Sequence, residues 1–295
     1  MTARYQSPSP ERSDESGYVS GSSSVDMPDV YFTRQHLRFL NQQLSKLEPA
    51  DVLRWCIISL PNLYQTSAFG LTGLAIIDMI SKLDSTVKPD IDLIFLDTLY
   101  HFPQTLELVE RVKRQYPQLA VHSYKPESCA NAADFERKHG ERLWETNDEL
   151  YDYLAKVEPA QRAYAQLKVK AVITGRRRSQ GGKRGDMDIV EVDDTGLIKV
   201  NPLANWTFKQ VQAYVQEHQV PTNDLLDMGY RSVGDWHSTQ PVTDSEDERA
   251  GRWRGHQKTE CGIHNKRSRY ATFLQEQEEK RQQELSHAID AGLGL

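Results

Sequence analysis

The chain has 295 residues, of which 38% are hydrophobic and 26% charged, enough to bury the core of one globular domain of about 200 to 230 residues. No apolar run approaches the roughly 18 to 20 residues that span a bilayer, and the N-terminus is unlike a signal peptide. The formal charge of −6 disfavours general nucleic-acid binding. We therefore expect a cytoplasmic protein that contacts neither membrane nor nucleic acid.

The N-terminal third begins with residues 1–28, which are rich in Ser, Pro, Gly, Asp and Glu and are expected to form a disordered tail. Leucines at helical spacing behind a predicted Thr33 cap indicate a first helix: Leu37, Leu40, Leu44 and Leu47. The pair Glu48-Pro49 then predicts a second helix through Ile58. Cys56 in that helix is interpreted as a packed core thiol.

Strand and helix patterns alternate through the next part of the chain. Strands are predicted over 63–67, 92–96, 119–124 and 170–174, and helices over 72–83, 103–115 and within 127–168. Such alternation favours an α/β fold with a mostly parallel sheet and right-handed crossovers. Shorter strands are predicted over 188–192 and 197–200, and an amphipathic helix over 207–218. The weakly periodic residues 221–265 are typical of a long functional loop or tail, and 266–288 of a polar final helix.

Three turns that follow predicted strands offer groups that bind anions. The turn Gln65–Gly73 joins hydroxyl side chains and glycines to a helix N-terminus, which suits phosphate or sulfate. In the turn Leu96-Asp97-Thr98, Asp97 either caps the chain or faces a ligand's sugar. The loop Gly175–Arg184 carries five cations, and arginine forks suit a small, multiply charged anion better than they suit RNA here. Because the carboxyl ends of parallel strands meet at one edge, we expect one ligand site.

Cys261 is the strongest candidate nucleophile. It lies in the run Lys258–His264, in a stretch rich in Arg and Lys, and neighbouring cations favour the reactive thiolate, although Glu260 opposes them. The three cysteines, Cys56, Cys129 and Cys261, are widely separated and odd in number, which does not suggest a disulfide framework. A zinc site made by Cys261, His264, His237 and His256 is a weaker alternative, because the basic surroundings repel a cation.

The chain resembles the 3′-phosphoadenylyl sulfate (PAPS) reductase family in five motifs, which occur in the family order between about residues 50 and 268: 65–73, 96–105, 175–184, 229–235 and 260–264. The resemblance implies an adenine-nucleotide hydrolase-like (Rossmann-like) fold with a mobile C-terminal tail. It also implies reduction of PAPS to sulfite and adenosine 3′,5′-bisphosphate in sulfate assimilation, with thioredoxin or glutaredoxin as the external electron donor and no bound cofactor. On this basis residues 29–220 form the nucleotide-binding domain, 221–268 the catalytic tail and 269–295 a helical extension.

The resemblance also implies a role for individual residues that match the family's motifs. Cys261 matches the nucleophile that forms an S-sulfocysteine, His264 a sulfonucleotide contact, and Lys156 a cation that faces the sulfate. Arg184 matches an arginine of the basic loop, and Arg252 and Arg249 match tail arginines that close over the ligand. The remaining predicted substrate-binding residues lie in the three turns: Thr66, Ser67, Phe69, Gly70, Thr72, Asp97, Thr98, Gly175 and Arg177.

The adenylyl sulfate reductases of the same superfamily hold a [4Fe–4S] cluster on four thiolates. The matching positions here are Tyr151, Asp152, Asp235 and Ser238, so the resemblance implies a cluster-free enzyme for the 3′-phosphorylated substrate. The chain has no Cys-x-x-Cys, so the reductant must be a separate protein. A homodimer through the N-terminal helices is a family expectation. Two alternative functions would use the same fold with different chemistry. One is a nucleotide-binding regulatory protein. The other is an ATP pyrophosphatase, which would need a Ser-Gly-Gly-x-Asp-Ser turn that is interrupted in this chain.

Overall fold

The computed structural model describes residues 31–83, 91–254, 258, 260 and 263, and in these ranges six short strands form one sheet. They are β1 (Leu63–Thr66), β2 (Leu93–Leu96), β3 (Val121–Tyr124), β4 (Ala171–Ile173), β5 (Val190–Val192) and β6 (Ile198–Val200). Their order is β3-β2-β1-β4-β6-β5, and every pair is parallel apart from the antiparallel β5 and β6. The predicted α/β fold with a mostly parallel sheet is therefore confirmed.

Helices precede, connect and flank the strands, at positions close to those predicted. They are α1 (Arg34–Leu44), α2 (Pro49–Ser59), α3 (Leu71–Lys82), α4 (Pro103–Gln115), α5 (Ala132–His139), α6 (Leu143–Thr146), α7 (Asp148–Asp152), α8 (Glu158–Gln166) and α9 (Phe208–Glu217). Local sequence explains several of the starts. The Thr33 hydroxyl accepts from His36 N at the start of α1, and Thr207 and Gln210 form a capping box at α9.

The expectation that Leu47 belongs to the first helix is wrong. Helix α1 ends at Leu44, and the Leu47 side chain is 45% exposed. The N–H groups of Lys46 and Leu47 bond carbonyls only three residues back, which tightens the chain into a turn. The helix cannot continue because Pro49 follows. A residue before proline disfavours helical angles, and Glu48 is extended at φ −70° and ψ 152°.

The core lies on both faces of the sheet. All four residues of β2 are buried, as expected for a central parallel strand covered by helices on both sides. One polar contact closes the far edge. The Asn41 side chain on α1 donates to Val190 O at 2.9 Å and accepts from Val190 N at 2.8 Å, so α1 satisfies the backbone N–H and C=O of Val190 in the edge strand β5.

The predicted aperiodic segment after residue 220 is confirmed as far as Arg254. It contains two single 3₁₀ turns, Asp224–Leu226 and Trp236–Ser238, and is held by isolated bridges such as His101 to Asp235. The expected tail 1–28 and the expected helix 266–288 lie outside the described residues. No helix in the described part of the chain is long and apolar enough to cross a membrane.

Candidate active site

The sheet has a switch point beside β1. Strand β1 lies between β2 and β4, and such a reversal in strand order opens a crevice at the carboxyl ends of the strands. Two glycines allow the turn after β1 and the turn after β4 to approach each other closely. A Cβ on Gly175 would lie 3.1 Å from Gly73 N, and a Cβ on Gly73 would lie 2.5 Å from Ser67 Oγ. The turn after β4 therefore packs directly on the first turn of α3.

The turn after β1 leads into α3 through a strained residue. Ser67 Oγ accepts from Phe69 N at 2.9 Å, and Phe69 has a left-handed φ of 55°, held by packing of its buried ring 5.2 Å from that of Phe95. Gly70 is the N-cap of α3 and supplies no capping side chain. The first turn of the helix is therefore suited to donate its N–H groups to an anion.

The turn after β2 is fixed by its own side chains. Asp97 Oδ1 accepts from Leu99 N at 3.0 Å, so Asp97 caps the turn. The Thr98 hydroxyl donates to Asp235 Oδ1 at 2.6 Å, and Trp236 N donates to Tyr100 O at 2.9 Å. The segment that follows residue 229 is thereby bonded to the sheet edge.

Arg177, one of the predicted substrate cations, is an interior ion-pair partner with only 1% of its surface exposed. Its Nη2 donates to both Glu248 carboxylate oxygens at 2.6 and 2.7 Å. Its Nε donates to Thr72 Oγ1 at 2.9 Å and its Nη1 to Ser179 Oγ at 2.7 Å. The guanidinium therefore ties the turn after β4 to α3 and to the later segment.

Three other arginines of the basic loop also bond protein groups. Arg176 pairs with Glu191, and Arg178 Nε donates to Met187 O at 2.8 Å. Arg184 forms a two-bond fork with Glu260, Nε to Oε1 at 2.7 Å and Nη2 to Oε2 at 2.6 Å. The loop is therefore rich in cations, as predicted, but Arg176 and Arg184 are paired with carboxylates from later parts of the chain.

A buried charge cluster lies beside the turn after β2; we define it as Asp152, Lys156, Asp235 and Lys258. Lys156 Nζ lies 3.0 Å from Asp152 Oδ1 and 2.8 Å from Asp235 Oδ2. Lys258 Nζ lies 2.6 Å from Asp152 Oδ2. Lys156 belongs to a π-helical turn, Tyr153–Val157, between α7 and α8. Such turns often occur at functional sites.

Burial and charge compete in this cluster. Burial alone raises the pKa of Asp235, but Lys156, His101 and His237 outweigh it and hold that pKa below its usual range. The same balance, with Lys156 and Lys258 as the cations, lowers the pKa of Asp152. Both carboxylates are therefore ionised at neutral pH. The charges of two carboxylates and two ammonium groups balance, as they must when ionised groups are removed from water.

A small cavity of about 90 Å³ adjoins the charge cluster, and its lining includes Trp144, Tyr151, His237 and Ser238. The Tyr151 hydroxyl donates to Asp235 Oδ2 at 3.0 Å, and the His237 ring stacks on Trp144 at 4.2 Å. The four positions matched to iron–sulfur ligands thus come together here, but they offer hydroxyl and lysine-paired carboxylate oxygens, which do not suit a cluster that needs thiolates. Among the described residues there is no group of three or more side chains that could hold a metal ion.

The tail arginines approach the same region. Arg249 Nη1 lies 3.1 Å from Glu260 Oε1. Arg252 Nη1 donates to Val233 O at 3.1 Å, and its guanidinium lies so close to Gly234 that a Cβ there would be 2.2 Å from Nη2. Cys261 and His264, the predicted nucleophile and its neighbour, lie outside the described residues.

Sequence reasoning missed two contributions to this site. Glu248 is the carboxylate that balances Arg177, and nothing local signals a partner 71 residues away. The Asp152 to Lys156 pair did carry a signal, because an acid four residues before a base faces it on a helix. Asp235, another member of the charge cluster, has no such local signal, and the resemblance identifies it only as a position matched to an iron–sulfur ligand.

These features define an α/β protein with an anion-suited crevice at a sheet switch point. A family model described as the phosphoadenosine phosphosulfate reductase domain matches residues 62–241, which is more than half of the chain. The chain belongs to the phosphoadenosine phosphosulfate reductase family, as its motifs predicted.

Named relatives agree with this assignment. A phosphoadenosine phosphosulfate reductase of Emericella nidulans is 63% identical over 94% of this chain and 91% of its own length. One of Saccharomyces cerevisiae is 53% identical over 84% of this chain and 96% of its own length. The crystal structure of a phosphoadenylyl-sulfate (PAPS) reductase of Candida auris, a phosphate complex, covers 72% of this chain and all of that one at 52% identity and a TM-score of 0.66.

Proposed function

We propose that this chain reduces PAPS to sulfite and adenosine 3′,5′-bisphosphate, with Cys261 as the nucleophile and thioredoxin as the electron donor. The substrate is that named for its relatives. The observation that carries the proposal is the contact between the tail and the loop after β4. Glu260, the residue directly before Cys261, is bonded to Arg184 of the turn after β4, and the turns after β1 and β4 abut at the switch point.

The chemistry follows from the groups brought together. The Cys261 thiolate attacks the sulfonyl sulfur of PAPS, the sulfur–oxygen bond to the phosphate breaks, and its electron pair leaves on adenosine 3′,5′-bisphosphate. Arg184 of the loop after β4 and the tail arginines Arg249 and Arg252 bind the nucleotide in this proposal and stabilise the charge that gathers on the leaving phosphate. Thr66, Ser67, Phe69, Gly70, Thr72 and Gly175 belong to the turns proposed to hold the nucleotide.

The enzyme is regenerated by thiol exchange. A thioredoxin thiolate attacks the Cys261 sulfur of the S-sulfocysteine and expels sulfite, which leaves a mixed disulfide. The second thioredoxin thiol opens that disulfide, so thioredoxin is oxidised by two electrons and the Cys261 thiolate returns. No further co-reactant is needed.

Intact-protein mass spectrometry tests the proposal. Protein given PAPS without thioredoxin is expected to gain one sulfonate group and release one equivalent of adenosine 3′,5′-bisphosphate. Cys261→Ser is expected to bind the nucleotide but form no adduct and no sulfite, whereas Cys56→Ser and Cys129→Ser behave like the parent protein. An adduct that persists in Cys261→Ser contradicts the assigned nucleophile. Binding without any adduct in the parent protein favours the regulatory-protein alternative.

A further inference from the structure

Glu260 makes two sets of contacts with cations that the proposed function assigns to substrate. Besides its fork with Arg184, it lies 3.1 Å from Arg249 Nη1 through Oε1. The side chains of Glu260, Arg184 and Arg249 are only 9%, 13% and 12% exposed. One carboxylate therefore bonds two shielded guanidinium groups.

The fork of Arg184 cannot serve two oxyanions. The N–H bonds of Nε and Nη2 point in parallel from one edge of the guanidinium. Arginine uses such an edge to bind a phosphate or a carboxylate through two hydrogen bonds. Both donors point to Glu260, and Nη1 donates to Gln180 Oε1 at 2.5 Å. A nucleotide phosphate that binds this edge must therefore replace the Glu260 carboxylate.

We propose that Glu260 is an internal competitor of the substrate: it occupies Arg184 and Arg249 until a phosphate group of the nucleotide displaces it. This inference rests on the proposed function, because it takes these two arginines as substrate ligands. Glu260 is bonded covalently to Cys261. The exchange therefore couples arrival of the nucleotide to a shift of the residue that adjoins the nucleophile.

Other contacts of the tail do not depend on these arginines. Lys258 Nζ lies 2.6 Å from Asp152 Oδ2 and 3.7 Å from Asp148 Oδ2. On the other side of Cys261 in sequence, Ile263 packs against the apolar cluster that contains Leu96 and Ala160. Displacement of Glu260 therefore leaves the tail attached on both sides, and the resulting movement is local.

The proposed competition predicts whether removal of the Glu260 carboxylate should raise or lower the affinity for the nucleotide. When a binding-competent state is populated only in part, the apparent dissociation constant rises in inverse proportion to that fraction. Replacing the carboxylate by a neutral amide weakens its hold on the arginines, so Glu260→Gln should bind adenosine 3′,5′-bisphosphate about tenfold more tightly, equivalent to about 1.4 kcal/mol. A residue that merely supports the fold would weaken binding or leave it unchanged when replaced.

Isothermal titration of adenosine 3′,5′-bisphosphate into the full chain tests this inference, with Glu246→Gln as the matched control. Glu246 pairs with Arg254 at 2.7 Å in the same segment, so its replacement removes the same charge without touching Arg184 or Arg249. Glu260→Asp keeps the charge but shortens the side chain by one methylene, which weakens its grip on the arginines. We expect tighter binding in both Glu260 variants, more so in Glu260→Gln, and parental affinity in Glu246→Gln.

Each other outcome decides against the inference. Unchanged or weaker binding by Glu260→Gln overturns it, and if that variant does not fold, unchanged or weaker binding by Glu260→Asp does so instead. An equal gain in Glu246→Gln assigns the effect to general loss of negative charge and also overturns it. A folded parent protein that does not bind the bisphosphate at all refutes the proposed function itself, which separates the two failures.

Discussion

Lys258 Nζ lies 2.6 Å from Asp152 Oδ2, and the other oxygen of the same carboxylate lies 3.0 Å from Lys156 Nζ. One side chain of α7 thus holds both a lysine of the neighbouring π-helical turn and a lysine three residues before Cys261. Structural stability and the position of the tail therefore depend on the same buried charges.

Replacement of Lys156 by Met should strongly destabilise the protein. It leaves the buried Asp235 and Asp152 without their shared cation, and breaking a buried pair from one side typically costs about 3–5 kcal/mol. Urea unfolding measures this loss. Lys113→Met is the control, because Lys113 pairs with Glu110 on the surface and should lose less than about 1 kcal/mol. Equal losses in the two variants would show that the cluster contributes no more than a surface pair.

The Arg177 to Glu248 pair should show strong coupling. Arg177→Met and Glu248→Met each leave one buried charge without its partner, so each single variant should lose about 3–5 kcal/mol. The double variant should lose less than the sum by about 2 kcal/mol, because it buries neither charge. Urea unfolding of the four proteins gives the coupling energy directly. Additive losses would mean that the two side chains act independently.

His237 should make the protein less stable as the pH falls from about 6.5 towards 4. Burial lowers the pKa of His237 to about 4, although Asp235 opposes this shift. Between 6.5 and about 4 the unfolded chain binds a proton that the folded chain refuses, so the free energy of unfolding decreases as the pH falls. His237→Gln, which keeps a polar group but cannot titrate, should have a shallower dependence in this window. A parental slope in His237→Gln would contradict the prediction.

Cys56 and Cys129 should resist alkylation in the folded protein. Cys56 is fully buried and Cys129 is 6% exposed, and burial raises the pKa of both thiols, so little thiolate is available to react. In the Cys261→Ser variant, maleimide labelling should be slow in native buffer and rapid in urea. Rapid labelling before unfolding would show that one of these thiols is accessible.

Local pattern predicted the framework of this fold better than its charged contacts. The strand and helix limits matched closely because apolar periodicity and proline or threonine starts act over a few residues, as at Thr207 and Pro103. The prediction for Leu47 was wrong because the helical spacing of leucines continues beyond Leu44, although Pro49 prevents the helix from continuing. Arg177 was recognised as a cation of the site, but its burial depends on Glu248, a partner that only tertiary folding supplies. Of the charge cluster, local spacing could reveal Asp152 with Lys156 and could not reveal Asp235.

The order of these partners along the chain also sets an order of assembly during synthesis. Every strand of the described sheet precedes residue 201, whereas Asp235, Glu248 and Lys258 follow it. Chains emerge from the ribosome N-terminal end first, at about 5–20 residues per second, so the sheet can form while Arg177 still lacks its carboxylate. Because an unpaired charge favours water over the interior, we expect the Arg177 guanidinium to stay hydrated until the segment that carries Glu248 docks. The part of the chain that carries the proposed nucleophile can therefore join a sheet that has formed before it.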